Sequence, residues 1–299
     1  MVSAVGSVVC IGVFDGVHAG HRALITEARA EADALGVPLV VVTFDPHPAA
    51  VLRPIAAPKS LASLDERVRL LKEAGADEVD ILRFDQRMST ETPQEFVDFL
   101  VDQFDAKVVV VGANFRFGAG AAGDVSTLRG LGDSRGFRVR SVALRSDGEP
   151  WSSTRIRSLL LEGQVEAANR ILGRAYRLEG IVVHGDHRGR ELGYPTANLQ
   201  VDGTPVVPAD GVYAGWLTVG DDRHAAAISV GTNPQFGVGE QRVEAYAIDR
   251  TDLDLYGRHA LVDFTGFLRP QEVFDSLEAF VAQMGADVDR ARALLATAG

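Results

Sequence analysis

The sequence predicts two domains: an α/β unit built on a parallel sheet, then a small antiparallel β-barrel with a terminal helix. Three observations carry this. Through the first half, short wholly apolar runs alternate with helical patterns, as parallel strands covered by helices on both faces do. From Tyr176 apolar and polar residues alternate and glycine becomes dense (Gly180, Gly211, Gly215, Gly220, Gly231), the spacing of a small antiparallel barrel. The last stretch, Phe274 to Leu295, returns to a helical period, with Phe274, Leu277, Val281, Met284, Val288 and Leu295 largely on one face. A chain of 299 residues accommodates both units. The boundary is placed near Gly173, giving domains of 1–172 and 173–299.

The first run, Val8 to Phe14, has the length and composition of a buried strand; Asp15 and Gly16 break it. A helix follows from His18, with Leu24, Ile25, Ala28, Ala32 and Leu35 at helical spacing. His18 and His21 fall in its first turn, and i, i+3 spacing puts both imidazoles on one face. Unpaired N–H groups and the helix dipole make such a terminus an anion site, and Gly20 lets a phosphate approach the backbone. A single histidine there is read as a local cap. Two, around a glycine and after a strand and an Asp-Gly turn, favour phosphate chemistry. A metal pair fits less well, because the usual helical motif is H-E-x-x-H and no third ligand lies nearby.

Val37 to Phe44 (VPLVVVTF) is a second buried strand, ending in Asp45-Pro46-His47-Pro48. His47 is read either as part of a rigid Pro-flanked turn or as a contact residue. Ser63 to Ala74 is an amphipathic helix with capping-box spacing at Ser63 and Glu66. Asp77 to Phe84 reads as a third strand, and Thr92 to Phe104 as a helix with Pro93 at its first position. Lys107 to Val111 is a fourth strand, followed by a turn carrying Asn114. Gly118 to Gly123 spells GAGAAG, a literal G-x-G-x-x-G. It begins six residues after Val111 rather than directly at a strand end, and it is read as a flexible loop. Gly136 to Leu144 is a fifth strand. Trp151 to Arg157 then leads into a helix over Ser158 to Glu162; Ser153, Thr154, Arg155 and Arg157 are read either as ordinary caps or as a polyphosphate grip. In the second half strands are expected at Arg177 to His184, Gly211 to Val219, His224 to Val230, Arg242 to Ile248 and His259 to Leu268.

The bulk numbers bound the function. A net charge of −11 argues against a general nucleic-acid binder, but not against anionic small molecules held by local cations and helix termini. The single cysteine, Cys10, sits within an apolar strand; that excludes a disulfide within the chain and points to a reducing, cytoplasmic setting. No signal-peptide pattern is readable, and no apolar run reaches the roughly 20 residues of a membrane span.

VVCIGVFDGVHAGH resembles the GxFDGxHxGH signature of nucleotidyltransferases related to the class I synthetases. Together with TFDPHP, VVGANFRFG, SSTRIR, GRAYRLEG, GRELGYPTANL, GVYAG, RVEAYAID, DLYG and RPQEVFDSLEAF, it resembles, in order, the bifunctional bacterial riboflavin kinase/FAD synthetase (FMN adenylyltransferase) family over nearly the whole chain. The resemblance implies a Rossmann-like nucleotidyltransferase sheet in the first half. It implies phosphorylation of riboflavin to FMN in the second half, and transfer of AMP from ATP to FMN in the first, giving FAD and pyrophosphate. ATP is then a co-substrate, Mg²⁺ the cofactor, and flavins are substrates and products. The implied partners are riboflavin, FMN, FAD and ATP, with no nucleic acid and no membrane, and a homo-oligomer formed at most transiently.

On that resemblance His18 and His21 stabilise the reacting phosphates. Gly12, Phe14, Asp15, Gly20 and Asn114 belong to the ATP site, and Ser153, Thr154 and Arg157 grip the β/γ end. The second half has no G-x-x-x-x-G-K-[ST] and must hold phosphates by other means. Gly185 to Gly193 supplies a glycine-rich loop. Pro195, Thr196 and Asn198 follow, Thr196 and Asn198 offering oxygen ligands for Mg²⁺. Alternation along RVEAYA puts Val243, Ala245 and Ala247 on one side and Arg242, Glu244 and Tyr246 on the other. Glu244 is read either as a solvated residue paired with Arg242 or, with the family, as general base or positioning group for riboflavin's hydroxyl. Departures from the family pattern are Gln235, Ala113 and Trp151. The other readings are a riboflavin kinase with a degenerate first domain, a non-catalytic flavin-binding protein, and a dehydrogenase resting on GAGAAG.

Overall fold

The computed structural model describes residues 6–143, 146–184, 194–232 and 241–297. They fall into two compact units, Met1–Lys59 with Leu64–Ser153, and Ser60–Ser63 with Thr154–Gly299.

The first unit is a five-stranded sheet: β1 (Ser7–Ile11), β2 (Leu39–Asp45), β3 (Glu78–Arg83), β4 (Ala106–Gly112) and β5 (Arg138–Val142), in the order β3-β2-β1-β4-β5. Every pairing is parallel. Helices α1 (Ala19–Leu35), α2 (Pro48–Leu52), α3 (Leu64–Glu73), α4 (Pro93–Phe104) and α5 (Val125–Arg135) accompany the strands. The apolar runs have a direct cause. Val8 and Cys10 pack against Leu24, Ile25 and Ala28 of α1 and Leu70 and Leu71 of α3. Val9 and Ile11 point the other way, onto Phe96, Val97 and Leu100 of α4 and Leu128 of α5. Strand order reverses between β1 and β4, the place beyond which ligands bind in open α/β sheets. Burial pushes the Cys10 thiol up, so it is no nucleophile at neutral pH.

Several boundaries differ from expectation. Strand β1 stops at Ile11 rather than Phe14. The Gly12 N–H still donates to Val42 O at 3.1 Å, but Phe14 then takes φ 52° and leaves the sheet. Helix α5 is not expected from the sequence, since Gly130 and Gly132 lower its helical signal. Gly132 is required where it stands: a Cβ there would lie 2.9 Å from Phe137. Strand β5 is shorter than expected because Gly136, at φ 83°, ends α5. The GAGAAG segment is a closed hairpin rather than a flexible loop. Phe117 and Gly123 exchange backbone hydrogen bonds of 3.1 and 2.9 Å, and a Cβ on Gly118 or Gly123 would strike Pro93 or Phe117. These are packing glycines.

In the second unit α6 (Ser153–Leu161) and α7 (Val165–Leu172) precede β6 (Tyr176–Val183), β7 (Thr196–Val201), β8 (Gly211–Val219), β9 (Asp222–Thr232), β10 (Gln241–Ala247) and β11 (His259–Arg269). The strands close a barrel in the order β10-β7-β6-β11-β8-β9, every pairing antiparallel. Helix α6 begins five residues earlier than expected, and neither α7 nor β7 is read from the sequence. The glycines mark strand crossings. A Cβ on Gly180 would lie 2.0 Å from Gln200 O, and one on Gly215 would lie 1.9 Å from Asp263 O. Tyr176, Tyr213 and Phe264, all fully buried, pack ring against ring at 5.3–6.3 Å.

Helix α8 (Leu277–Thr297) buries Val288, Ala291 and Leu295 against Val212 and Ala214 of β8 and Leu268 of β11. A buried ion pair pins it: Arg269 donates to Asp287 at 2.8–3.0 Å, with the two residues 9% and 4% exposed. Asp287→Ala strands the guanidinium and is expected to cost about 3–5 kcal/mol. Denaturant unfolding followed by circular dichroism measures it; a loss under about 1 kcal/mol would mean the pair does not seat α8.

Candidate functional site

Two constellations stand out, one in each unit. The first is the loop from Gly12 to His21, between β1 and α1. Gly12 has no side chain because the Phe14 ring folds over it, 3.0 Å from where a Cβ would stand. Phe14 then meets His21 edge-on, with centroids 5.2 Å apart. His18 lies before α1 rather than in its first turn. It is the N-cap, with φ −67° and ψ 171°, and its Nδ1 accepts the backbone N–H of His21 at 3.3 Å. That bond leaves the proton of a neutral His18 ring on Nε2. The two imidazoles stack at 3.6 Å with an 18° tilt. A Cβ on Gly20 would lie 3.0 Å from the His18 ring, so this glycine also makes room for the stack.

His21 Nδ1 is buried and finds no hydrogen-bond partner among the described residues. Burial, with repulsion from His18 adding to it, holds the His21 pKa well below the ordinary histidine value. At neutral pH the ring is neutral, a hydrogen-bonding group rather than a cation. The unfolded chain binds a proton that the folded chain refuses. Stability from His21 is therefore complete above about pH 6.5 and is lost as pH falls from there toward the folded value, at a limiting slope of about 1.4 kcal/mol per unit. Imidazole-nitrogen NMR should find His21 still neutral at about pH 6, whereas half-protonation near 6.5 would contradict this reading.

The loop is held from behind. The Val13 carbonyl accepts from Thr43 Oγ1 at 2.9 Å and from Arg67 Nη1 at 3.1 Å. Asp15 is buried, and its carbonyl accepts from Ser153 Oγ at 2.9 Å. Asn114 is exposed in the turn directly after β4, the neighbour of β1. Ser153 and Thr154 open α6, with Arg157 one turn further on. His47 caps α2, its Nδ1 accepting from the Ala49 N–H at 3.0 Å. Thr43 and Arg67 are missed by sequence reasoning. The available signal was a charge in the wrong place: Arg67 lies on the same buried stripe of α3 as Leu70 and Leu71.

The second constellation lies on the barrel. Val243, Ala245 and Ala247 are buried and Glu244 is half-buried, the alternation expected for β10. Glu244 stands opposite Asn198 of β7 and Ser229 of β9. Thr196 Oγ1 donates to Glu244 Oε2 at 3.2 Å. Gln271, also missed, donates to Ser229 Oγ at 2.9 Å and to Val230 O at 3.0 Å. Thr196 and Asn198 thus share one face with Glu244, which lies more than 40 residues further along the chain. Pro195 immediately precedes β7. Gly185, Gly193 and Gln235 lie outside the described residues. A hydroxyl, an amide and a carboxylate make an oxygen donor set, the kind a hard divalent cation takes.

A family model for FAD synthetase matches residues 2–155, and one for riboflavin kinase matches residues 172–295. The chain is 35% identical over 295 residues to a bifunctional riboflavin kinase/FMN adenylyltransferase of Listeria monocytogenes, covering 98% of this chain and 93% of that one. It is 38% identical over 290 residues to the protein of the same name in Escherichia coli, covering 96% and 92%. The chain belongs to the bifunctional riboflavin kinase/FMN adenylyltransferase family. A crystal structure of a macrolide-efflux protein from Streptococcus pneumoniae superimposes with a TM-score of 0.89 at 35% identity, covering 96% of this chain and 94% of that one. Efflux is the name of that protein. In this member of the bifunctional family, no helix among the described residues is long and apolar enough to cross a membrane.

Proposed function

We propose that this chain makes FAD from riboflavin in two ATP-dependent steps, the adenylyl transfer running in residues 1–172 and the kinase step in 173–299. The observation that carries this reading is the coexistence of two separate phosphate-type sites in one chain. One is the stacked His18–His21 pair at a helix start, and the other is the Thr196–Asn198–Glu244 face on the barrel.

In adenylyl transfer an FMN phosphate oxygen attacks the α-phosphorus of ATP, and the bond to the bridging oxygen breaks to release pyrophosphate. FMN brings an anionic nucleophile, so alignment and charge stabilisation matter more than a protein base. His18 offers Nε2–H and His21 a neutral ring whose Nδ1 is unpartnered within the protein. Approach of the polyphosphate opposes the lowering of the His21 pKa and strengthens that contact. Gly12, Phe14, Asp15 and Gly20 shape the loop, Asn114 flanks it beyond β4, and Ser153, Thr154 and Arg157 take the β- and γ-phosphates at the start of α6.

In the kinase step riboflavin's terminal hydroxyl attacks the γ-phosphorus and ADP leaves. A neutral alcohol benefits from a base, and Glu244 takes its proton. Mg²⁺ suits the oxygen donors of Thr196 and Asn198, and it would supply charge neutralisation between ATP phosphates. Gly185, Gly193 and Pro195 frame that nucleotide. One buried, unpaired thiol favours a reducing, cytoplasmic setting.

The test is a time course of the purified full chain with riboflavin and Mg·ATP, resolved by chromatography. FMN should rise and then give way to FAD with release of pyrophosphate. FMN that accumulates without FAD would overturn the two-step reading.

A further inference from the structure

Arg67 occupies a place that the chemistry above leaves unused. It belongs to α3, away from the His18–His21 loop in sequence, yet it is only 6% exposed. Its Nη1 donates to two carbonyls at once: Val13 O in the loop after β1, and Phe44 O at the end of β2, both at 3.1 Å. Nη2 lies 3.6 Å from Asp45 Oδ1, and Thr43 Oγ1, which shares the Val13 carbonyl, is 3.5 Å from Nη1. Nε is buried with no partner among the described residues. Burial lowers the Arg67 pKa, and the charges of Asp15 and Asp45 act against that lowering. Burying a guanidinium is costly unless its pairing is good, so the residue has to be explained by what it holds.

What it holds is the residue before Phe14. Phe14 and Val17 sit at φ 52° and 37°, a region that side-chain-bearing residues rarely adopt and that persists only where the surroundings impose it. Phe14 is the ring that meets His21, and His21 is stacked on His18. A displaced Val13 carbonyl therefore moves both imidazoles. Both bonds come from Nη1 while Nη2 faces Asp45; a lysine, one atom shorter in reach and with a single nitrogen, does not fill both places.

We infer that Arg67 is a positioning residue for adenylyl transfer, tying the loop after β1 to the end of β2 so that His18 and His21 face the reacting phosphates. The inference rests on the function proposed above, and the enzyme's own kinase step serves as an internal control. The experiment measures kcat and KM for FMN adenylylation, and riboflavin phosphorylation in the same preparation, for wild type, Arg67→Met and Arg67→Lys, well below each protein's melting transition. FAD formation by the wild type tests the parent reading separately.

Given wild-type activity, Arg67→Met should lower kcat for FAD formation about 100-fold, the scale of a misplacement of about 1 Å. The KM for ATP should stay within about threefold and riboflavin phosphorylation within about twofold, since the groups contacting substrate remain. Arg67→Lys should recover part of the lost kcat, and it carries the test if the methionine variant does not fold. Two results would overturn the inference: an adenylylation kcat at the wild-type level with only a lower melting temperature, or a raised KM with kcat preserved. Full activity in Arg67→Lys would overturn it as well, because the reach and second nitrogen of the guanidinium would then be irrelevant.

Discussion

His21→Ala is expected to leave riboflavin phosphorylation intact and to lower FAD formation by about 10²–10³-fold, the scale for removing one preorganised group from a developing phosphate charge. The substitution is clean for a structural reason. The N-cap bond of α1 uses the backbone N–H of His21, not its ring, so alanine keeps the cap that His18 accepts. What disappears is a neutral ring stacked on His18 and met edge-on by Phe14. Assaying each step separately, with FMN supplied for the second, reads the effect. Equal loss of both activities in a folded protein would contradict the division of labour.

Glu244→Gln is expected to give the complementary result. The amide keeps the volume and can still accept from the Thr196 hydroxyl, but it cannot take a proton from riboflavin. The kinase step is expected to fall about 10²–10⁴-fold, the range for a positioned general base. Adenylylation of supplied FMN should persist. An unchanged kinase rate would return Glu244 to the other reading, a solvated strand residue paired with Arg242.

Legibility in the sequence followed the range of the forces involved. The central strands were readable because β1, β2 and β4 are buried on both faces, which demands unbroken apolar runs. The α4 start was readable because Pro93 stands at its first position; the structure adds a reciprocal cap between Thr92 and Glu95. The end of β1 was not, because the departure of Val13 and Phe14 from the sheet is set by Thr43 and Arg67, which lie 30 and 54 residues further along the chain. Helix α5 was hidden by Gly130 and Gly132, of which Gly132 is required by its packing against Phe137.

The candidate sites divide in the same way. The i, i+3 histidines implied one shared face, which the stacking bears out, but the capping role of His18 depends on a ψ of 171° that periodicity does not report. The alternation of RVEAYA placed Glu244 on the correct side of β10. That Thr196 and Asn198 face it depends on how β7 and β10 pair in the closed barrel, a register written nowhere locally.

The proposed division of labour is two sites in one chain, linked by release and recapture of FMN. It is tested most directly by mixing the two defective variants, His21→Ala and Glu244→Gln, with riboflavin and Mg·ATP. Neither alone should make appreciable FAD from riboflavin. Together they should, because FMN released by the first is adenylylated by the second. A mixture that makes no FAD, while each variant keeps its own remaining activity, would contradict the account.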